Sequence, residues 1–475
     1  MNYNAITLEI LVASLGIVLL ALSLILPKGK KTVIGYASTL ALLAILVFSF
    51  IYKPSDSVSF IKGIYVSDSI STYFKQIFII AASLVTLMSV SYVKNLTDSK
   101  SEFFVLLIFA LLGMMVMSSA NDFITLYIGL ELMSISFIVL TAYDKKNIKS
   151  TEAGIKYVLL NAISSAVLLY GMSLIYGISG SPVFSDIIAF MKTGSAQPIV
   201  VVGSILLIAG FGFKISAVPF HMWSPDIYEG APTPITAFLA AGSKVAAFSV
   251  MIKLFMQVMQ YSYSTMVVLI IVLSVLSILI GNVIAIPQTN LKRMLAYSSI
   301  AHAGYILVGL VSYTKGGISA MLYYLLLYIF ANVGAFAAIT AFTNQTGKED
   351  IKDFSGMWKR SPFLSSILLI CLLCLAGIPP TAGFVGKFFL FSEVIKQGYL
   401  WLALFAMLMS VVSMYYYSIV IRVMLMNDAE DPTPIKIHGS LKVVMIVCII
   451  MILVMGLFPG TISNWTTTVA NTFIR

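Results

Sequence analysis

The chain has 475 residues, of which 60% are hydrophobic and only 10% are charged. Soluble domains carry about 25% charged residues, so most of the surface of this protein must face lipid. The high hydrophobic content also excludes intrinsic disorder. The net charge of +10 does not indicate nucleic-acid binding, because the basic residues lie singly or in small groups at the ends of apolar runs instead of forming a continuous stripe.

Apolar runs follow one another along the whole chain, each close to the roughly 20 residues that a helix needs to cross a bilayer. The sequence therefore predicts an all-α integral membrane protein of about fourteen transmembrane helices. The first run is interpreted as a retained span, because it lacks the basic region and the cleavage site of a signal peptide. The predicted spans lie near residues 5–26, 33–52, 70–94, 102–118, 121–142, 153–178, 198–218, 233–257, 264–286, 294–312, 316–343, 362–396, 398–426 and 440–458.

Lysine and arginine are distributed unequally between the two ends of these spans, which predicts the orientation of the chain. With the N-terminus outside, eighteen basic residues face inside: Lys28, Lys30, Lys31, Lys94, Lys100, Lys145, Lys146, Lys149, Lys156, Lys292, Arg293, Lys348, Lys352, Lys359, Arg360, Arg422, Lys436 and Lys442. Seven face outside: Lys53, Lys62, Lys75, Lys192, Lys315, Lys396 and Arg475. Both termini are therefore expected on the outer side of the membrane.

Two predicted spans contain helix breakers beside a lysine. The seventh places Gly210 and Pro219 around Lys214, and the twelfth places Pro379 and Pro380 before Lys387. Proline removes a backbone donor, and unwound backbone at membrane depth is tolerated only where it is buried in protein or lines a wet cavity. We expect both helices to be broken there.

The two breaks are five helices apart, which predicts two five-helix repeats in inverted orientation, an arrangement typical of transport sites near the midplane. The alternative is that the prolines only kink packed helices. The predicted units are an N-terminal three-helix segment at 1–98, the first repeat at 99–260, the second repeat at 261–427 and a C-terminal helix at 428–475.

Four ionisable residues are predicted at membrane depth: Glu131, Lys214, Lys244 and Lys387. Each charge at the bilayer centre costs about 2.5–3.5 kcal/mol, so these residues need partners or a function. Carboxylate and amine pairs favour each other's charged forms, and a desolvated lysine can release its proton, which suits proton transfer. By contrast, Lys253 points to the opposite face from Lys244 and is expected to snorkel to a helix end.

A polar stripe is predicted in the tenth span, where Ser298, His302 and Tyr305 share one helix face. His302 is a candidate for proton transfer, with a packing role as the alternative. His221 follows the seventh break, where a loop hydrogen bond is the simpler interpretation.

The chain carries no sequence signature of a nucleotide, haem or metal site. Cys371 and Cys374 form a C-x-x-C inside an apolar run, which favours two small buried side chains over a redox pair. Redox or ATP chemistry is not expected in this chain, and any energy for pumping must come from partner chains.

Four stretches resemble the antiporter-like membrane subunits of respiratory complex I, the NADH–quinone oxidoreductase. They are PFHMWSPDIYEGAPTP at 219–234, AAGSKVAAF at 240–248, LKRMLAYSSIAHAGY at 291–305 and GIPPTAGFVGKF at 377–388. The Tyr228-Glu229-Gly230 variant is similar to the subunit N branch of this family, whereas subunit M typically has a glutamate where Lys387 stands. The resemblance covers essentially the whole chain.

The resemblance implies proton translocation by Glu131, Lys214, Lys244 and Lys387. It also implies that NADH, FMN, the iron–sulfur clusters and quinone bind other subunits, and that this chain itself holds no cofactor. The implied partners are other membrane-arm subunits, including subunit M and the small subunits J and K, in a bacterial inner membrane. An Mrp-type cation/proton antiporter subunit, a hydrogenase-type membrane subunit and a purely structural anchor are the alternatives.

Overall fold

The computed structural model describes residues 2–27, 31–52, 58–61, 63–94, 100–192, 198–258, 263–429 and 431–473. Five basic residues used to predict the orientation lie outside this part of the chain: Lys28, Lys30, Lys53, Lys62 and Arg475. So do the predicted unit boundaries at 98–99 and 260–261.

The described chain is almost entirely helical. Its α-helices are α1 Thr7–Ile25, α2 Val33–Ile51, α3 Ser69–Val93, α4 Glu102–Ser119, α5 Phe123–Thr141, α6 Ile148–Ser179, α7 Phe184–Lys192, α8 Pro198–Lys214, α9 Trp223–Gly230, α10 Thr233–Phe238, α11 Lys244–Lys253, α12 Tyr263–Ala285, α13 Leu291–Val311, α14 Lys315–Thr346, α15 Met357–Arg360, α16 Pro362–Ala376, α17 Ala382–Lys396, α18 Leu400–Met426, α19 Gly439–Leu457 and α20 Pro459–Phe473. Short 3₁₀ turns occupy Tyr3–Ile6 and Ile351–Phe354, π-helical turns occupy Leu239–Ser243 and Leu254–Val258, and β1 Val58–Ser59 pairs antiparallel with β2 Val66–Ser67.

The predicted all-α membrane fold is confirmed. In the described ranges, twelve helical segments are long and apolar enough to cross a membrane. The other two predicted spans contain the shorter apolar helices α8 and α16, each followed by a second short helix. The total of fourteen spans stays a prediction, and the short helices α7 and α20 were not predicted.

Both expected breaks are present. The chain leaves α8 at Lys214, turns through residues 215–222 and re-enters a helix at Trp223. It leaves α16 at Gly377, which has a φ of 84°, and re-enters a helix at Ala382. A Cβ on Gly377 would also press on the side chain of Lys387, so both the backbone and the space favour glycine there.

Helices in corresponding positions of the two predicted repeats share local features. The 32-residue helices α6 and α14 both end at a left-handed glycine, Gly180 and Gly347. Two helix pairs pack through glycine: a Cβ on Gly113 would meet the backbone of α5, and one on Gly281 would meet the backbone of α13. These parallels are what a repeat predicts, and the inverted relation itself stays a prediction.

Both described chain ends lie at one end of the helix bundle. Tyr3 contacts Phe60 in the connection between α2 and α3, with ring centroids 5.6 Å apart. In α20, Trp465 lies 4.6 Å from the ring of Tyr73, near the start of α3. We call this the terminal end; the opposite end, where α3 stops and α4 starts, is the basic end.

The segment α10–α11 and helix α14 form the centre of the bundle, since every residue in the most apolar 18-residue stretch of each is buried. Only about a third of the corresponding windows in α1 and α18 is buried, which places these helices at the periphery. The central helices thus carry Lys244 and pack against α13, where His302 lies.

Candidate functional site

Glu131 and Lys214 face a shared group of polar side chains between α5, α6 and α8. The buried Lys214 amine donates hydrogen bonds to Asn161 Oδ1 at 2.5 Å and to Ser134 Oγ at 3.0 Å. Glu131 Oε1 accepts a hydrogen bond from Ser165 at 2.5 Å. No direct ion pair joins the two described residues; each is held by its own hydroxyl or amide partners on α5 and α6.

Lys244 lies in the centre of the bundle, at the first residue after the π-helical turn Leu239–Ser243. Its buried amine donates to Ser299 Oγ on α13 at 2.7 Å and lies 5.6 Å from the ring centroid of Tyr228. π-Helical turns often occur at functional sites, because the extra residue changes the direction of the side chains that follow. The sequence did not predict this turn.

His302 is hydrogen-bonded through both ring nitrogens. Nδ1 lies 2.7 Å from the hydroxyl of Tyr324 on α14, and Nε2 lies 3.3 Å from the hydroxyl of Tyr417 on α18. The Tyr417 hydroxyl also forms a short hydrogen bond with Ser298. The predicted shared face of Ser298 and His302 is thus confirmed.

Lys387 lies beside the twelfth-span break, one turn into α17. Its amine donates to the carbonyls of Leu375 at 3.1 Å and Ala376 at 2.9 Å, and to Ser410 Oγ at 2.7 Å. The break thus leaves backbone acceptors free for this amine, as the proline and glycine pattern predicted. Lys387 also lines a pocket of about 310 Å³ that opens sideways between α17 and α18.

Helix α13 connects Lys244 with Lys387. Ser299 accepts the hydrogen bond from Lys244, and the ring of Tyr305 lies 4.9 Å from the Lys387 amine. His302 stands between them on the same helix, three residues from each, and its ring contacts that of Tyr305 at 5.8 Å. At a rise of about 1.5 Å per residue, the two lysine contacts are roughly 9 Å apart along the helix axis. The tenth helix therefore bridges the two buried amines.

Residues near the break fix α9 against α8. Trp223 Nε1 donates to the Phe213 carbonyl at 2.7 Å, and the Trp223 ring stacks on Tyr157 with centroids 5.2 Å apart. This anchor sets the position of Tyr228, which reaches Lys244. The π-face contact between Tyr228 and the amine is the link from the first break to the central lysine.

A network of six charges closes the basic end of the site. Arg293 on α13 donates to Asp226 at 2.6 Å and to Glu229 at 3.2 Å, both on α9. Lys156 pairs with Asp226 at 2.7 Å as well as with Glu152 at 2.8 Å, and Lys149 pairs with Glu229 at 2.9 Å. The Glu152–Lys156 pair, four residues apart on α6, is one edge of a network between α6, α9 and α13.

One prediction about a lysine is wrong. Lys253 does not snorkel: its side chain is only 3% exposed and donates to the carbonyls of Ser118 and Ala120. Lys75, counted on the outer side, is 1% exposed and pairs with Glu9 at 2.8 Å, a pair that the sequence did not predict. A carboxylate inside the first apolar run was the signal that could have revealed this buried pair.

The sequence also did not predict the polar partners of the buried lysines, Ser134, Asn161, Ser299 and Ser410. Their spacing held a partial signal, since Ser134 follows Glu131 by three residues and Asn161 precedes Ser165 by four. The ring of His221 is largely buried, and its Nδ1 has no hydrogen-bond partner among the described residues.

In the described part of the chain, no three His, Cys, Asp or Glu side chains are grouped so that they could hold a metal ion. Cys371 and Cys374 are free thiols buried in α16, as the interpretation of the C-x-x-C predicted. The site described above contains amines, a carboxylate, an imidazole and hydroxyl groups, which can bind and release protons.

The sequence model of the family described as NADH:quinone oxidoreductase/Mrp antiporter, TM, matches residues 120–413, more than half of the chain. The chain belongs to the NADH:quinone oxidoreductase/Mrp antiporter family. All the buried polar groups from Glu131 to Ser410 lie inside the matched region. The resemblance found in the sequence motifs is confirmed.

Relatives in this family match the chain over its full length. It is 47% identical to NADH-quinone oxidoreductase subunit N of Moorella thermoacetica over 473 residues, 99% of each chain. A chain of respiratory complex I from Thermus thermophilus with bound aureothin superposes with a TM-score of 0.81 at 28% identity, covering 96% of this chain and 99% of that one.

A chain of the Mrp complex from Dietzia sp. DQ12-45-1b superposes with a TM-score of 0.88 over 100% of this chain and 98% of that one. Its identity is only 18%, so this similarity shows the fold alone. The fold is therefore shared by complex I and Mrp chains, and the closer sequence similarity is to subunit N.

Proposed function

We propose that this chain is the subunit N–type membrane subunit of a bacterial NADH–quinone oxidoreductase, and that it moves protons across the membrane. The observation that carries the proposal is α13, which links Lys244 through Ser299 and His302 to Tyr305 beside Lys387. The full-length similarity to subunit N supports the choice of complex.

The proposed proton carriers are Glu131, Lys214, Lys244, His302 and Lys387. Each lysine amine has hydrogen-bond acceptors for its charged form: side-chain oxygens at Lys214 and Lys244, and two carbonyls and a hydroxyl at Lys387. Burial out of water disfavours a charged amine, so a small change in its partners can shift the proton onward. The charge of one lysine thereby controls whether the neighbouring lysine holds its proton.

In this proposal the energy for proton movement comes from electron transfer in partner subunits. NADH, FMN, the iron–sulfur clusters and quinone belong in this proposal to partner subunits. The partners in the membrane arm include subunit M and the small subunits J and K. The lateral pocket beside Lys387 supports a path that continues towards a neighbouring chain.

The proposed location is the bacterial inner membrane, with both termini on the periplasmic side. The excess of basic residues at the basic end supports that orientation, since lysine and arginine are retained on the cytoplasmic side. The contacts of Tyr3 and Trp465 support the placement of both termini on one side.

The experiment is purification of the native complex in mild detergent, identification of its subunits, and reconstitution into vesicles. We expect flavin and iron–sulfur subunits in the complex, and NADH-driven proton uptake that does not require sodium. Co-purification with antiporter subunits only, together with sodium-dependent proton exchange, would instead establish the Mrp-type alternative.

A further inference from the structure

A buried acid–amine ion pair lies outside the site between α5, α8, α11 and α17. Glu9 on α1 and Lys75 on α3 approach to 2.8 Å, and the two residues are only 6% and 1% exposed. Both lie in helices whose other residues are predominantly apolar. Both ions of a buried pair lose their hydration, which costs free energy that the ion pair only partly recovers. The presence of this pair therefore suggests a role other than stabilising the protein.

Two buried hydroxyl groups, of Tyr65 and Ser119, lie beside this pair. The Tyr65 hydroxyl interacts with Glu9 and with Ser119, although neither Tyr65 Oη nor Ser119 Oγ meets a described partner at strict hydrogen-bond geometry, and both residues are more than nine-tenths buried. Buried polar atoms in native proteins are satisfied by protein groups or by ordered water, so a water molecule beside these hydroxyls would complete their hydrogen bonding. Burial and the charge of Glu9 raise the pKa of Tyr65, which keeps its hydroxyl protonated.

Lys253 reaches the same place from the centre of the bundle. Its amine donates to the carbonyls of Ser118 at 3.0 Å and Ala120 at 3.2 Å, the residues on either side of Ser119. Tyr65 forms a β-bridge with Ala120, which fixes the β1–β2 loop over this segment. Lys253 therefore contacts the stretch 118–120 directly, and Tyr65 lies between that stretch and Glu9.

The position of this group is the terminal end of the bundle. Lys253 follows Lys244 by nine residues on α11, or about 13.5 Å along the helix axis. Asp68, the N-cap of α3, is a second acid at this end, and its negative charge attracts the Lys253 ammonium. The group thus lies between the central lysine and the membrane face that Proposed function assigns to the outside.

We propose that Glu9, Tyr65, Lys75, Ser119 and Lys253 form the outer proton-release site of this chain; we call them the terminal cluster. In this proposal, which rests on the proposed proton translocation, the Lys253 ammonium gives its proton through the hydroxyl groups and water to the Glu9 carboxylate. The resulting carboxylic acid passes the proton to water at the outer face and returns to a carboxylate. Lys253 regains its proton from the direction of Lys244, and Lys75 favours the ionised form of Glu9 and so drives the release.

The test is the double variant Glu9→Gln/Lys75→Met in the intact complex, reconstituted into vesicles. Both replacements are close in size and remove both charges together, so neither leaves an unpaired buried charge. We expect uncoupled NADH–quinone electron transfer to persist while the protons pumped per NADH fall. An anchoring role predicts unchanged pumping, since a neutral pair of similar volume often replaces a buried ion pair without loss of stability.

The matched control is Glu102→Gln/Lys31→Met, which removes a more exposed pair of the same residue types, 3.7 Å apart at the basic end. It is expected to pump as the unmodified complex does. Lys214→Ala is measured beside these variants. Loss of pumping in Lys214→Ala with normal pumping in Glu9→Gln/Lys75→Met overturns the terminal cluster alone, whereas normal pumping in Lys214→Ala overturns the proposed function.

A second measurement uses the unmodified complex and so does not depend on assembly of a variant. A membrane-soluble carbodiimide reacts with a protonated carboxyl group in an apolar environment and converts it to an acylurea. Because the Glu9 carboxylate cycles through its protonated form in this proposal, we expect the reagent to label Glu9 during NADH turnover. Peptide mass spectrometry detects the label. Absence of label at Glu9 in a complex that pumps would overturn the proposal.

Discussion

Glu131 and Lys214 share one polar environment without forming a direct ion pair. Ser165 donates to the acid, while Asn161 and Ser134 accept from the amine. A direct pair would hold both charges fixed, because each favours the ionised form of the other. Separate hydroxyl and amide partners let the electrostatic interaction between the acid and the amine strengthen or weaken with small side-chain movements, which is what a coupled proton relay requires.

Substitution of Lys387 is expected to separate a titratable role from a fixed-charge role. Arginine keeps its charge because it does not release its proton in proteins, whereas glutamate can still titrate, as in subunit M. Lys387→Arg should therefore lose more pumping than Lys387→Glu, provided that both complexes assemble equally. Proton uptake per NADH in vesicles measures this, and full pumping by Lys387→Arg would leave Lys387 as a fixed charge only.

His302→Phe is expected to reduce pumping while the ring packing is kept. Phenylalanine preserves ring contacts with Tyr305 and Tyr328 but removes the hydrogen bonds to Tyr324 and Tyr417. We expect a loss of at least about tenfold, less than the roughly hundredfold or more that positioned acid–base groups typically contribute. Tyr323→Phe is the control, since it removes a buried hydrogen bond to Met455 outside the path. Equal pumping by both variants would assign His302 to packing.

Arg293→Leu is expected to destabilise the protein at the basic end. It removes the guanidinium that joins Asp226 and Glu229 to α13, while Lys156 and Lys149 remain as their partners; losing two hydrogen bonds between charged, partly buried groups costs on the order of 1–3 kcal/mol. Lys359→Ala is the control, because its pair with Asp428 is highly exposed and such pairs contribute about 0–1 kcal/mol. The unfolding midpoint of the purified complex measures both, and an equal shift would contradict a structural role for the network.

Single cysteines at Asn2 and Arg475 are expected to react with impermeant thiol reagents from the outer side only. The native cysteines are buried and should stay silent. A cysteine at Lys146, in an exposed position at the basic end, is the control and should react from the cytoplasmic side. Labelling of Asn2 and Arg475 from the cytoplasmic side alone would reverse the proposed orientation.

Much of the fold followed from local pattern. Run length predicted the apolar helices, and Pro219, Pro379 and Pro380 predicted the two breaks, because these effects depend on a few neighbouring residues. The shared face of Ser298 and His302 followed from helical spacing in the same way.

Contacts between helices could not be predicted from the spacing of residues in the sequence. Asn161 and Ser299 are single polar residues in apolar helices, and only the packing of α6 and α13 shows that they accept hydrogen bonds from lysines. The pairing of Glu9 with Lys75 joins residues 66 positions apart, which spacing along one helix cannot indicate. The π-helical turn before Lys244 likewise depends on tertiary packing and not on residue preference.

The central claim is that Glu131 and Lys214 move protons, and the most direct test is the number of protons pumped per NADH oxidised by Glu131→Ala and Lys214→Ala complexes in vesicles. Lys145→Ala, which removes an exposed lysine at the basic end, is the matched control. We predict that both site variants assemble but pump less than about a tenth as well as the control, because each removes a positioned acid–base group. Normal proton uptake by either assembled variant would contradict the account.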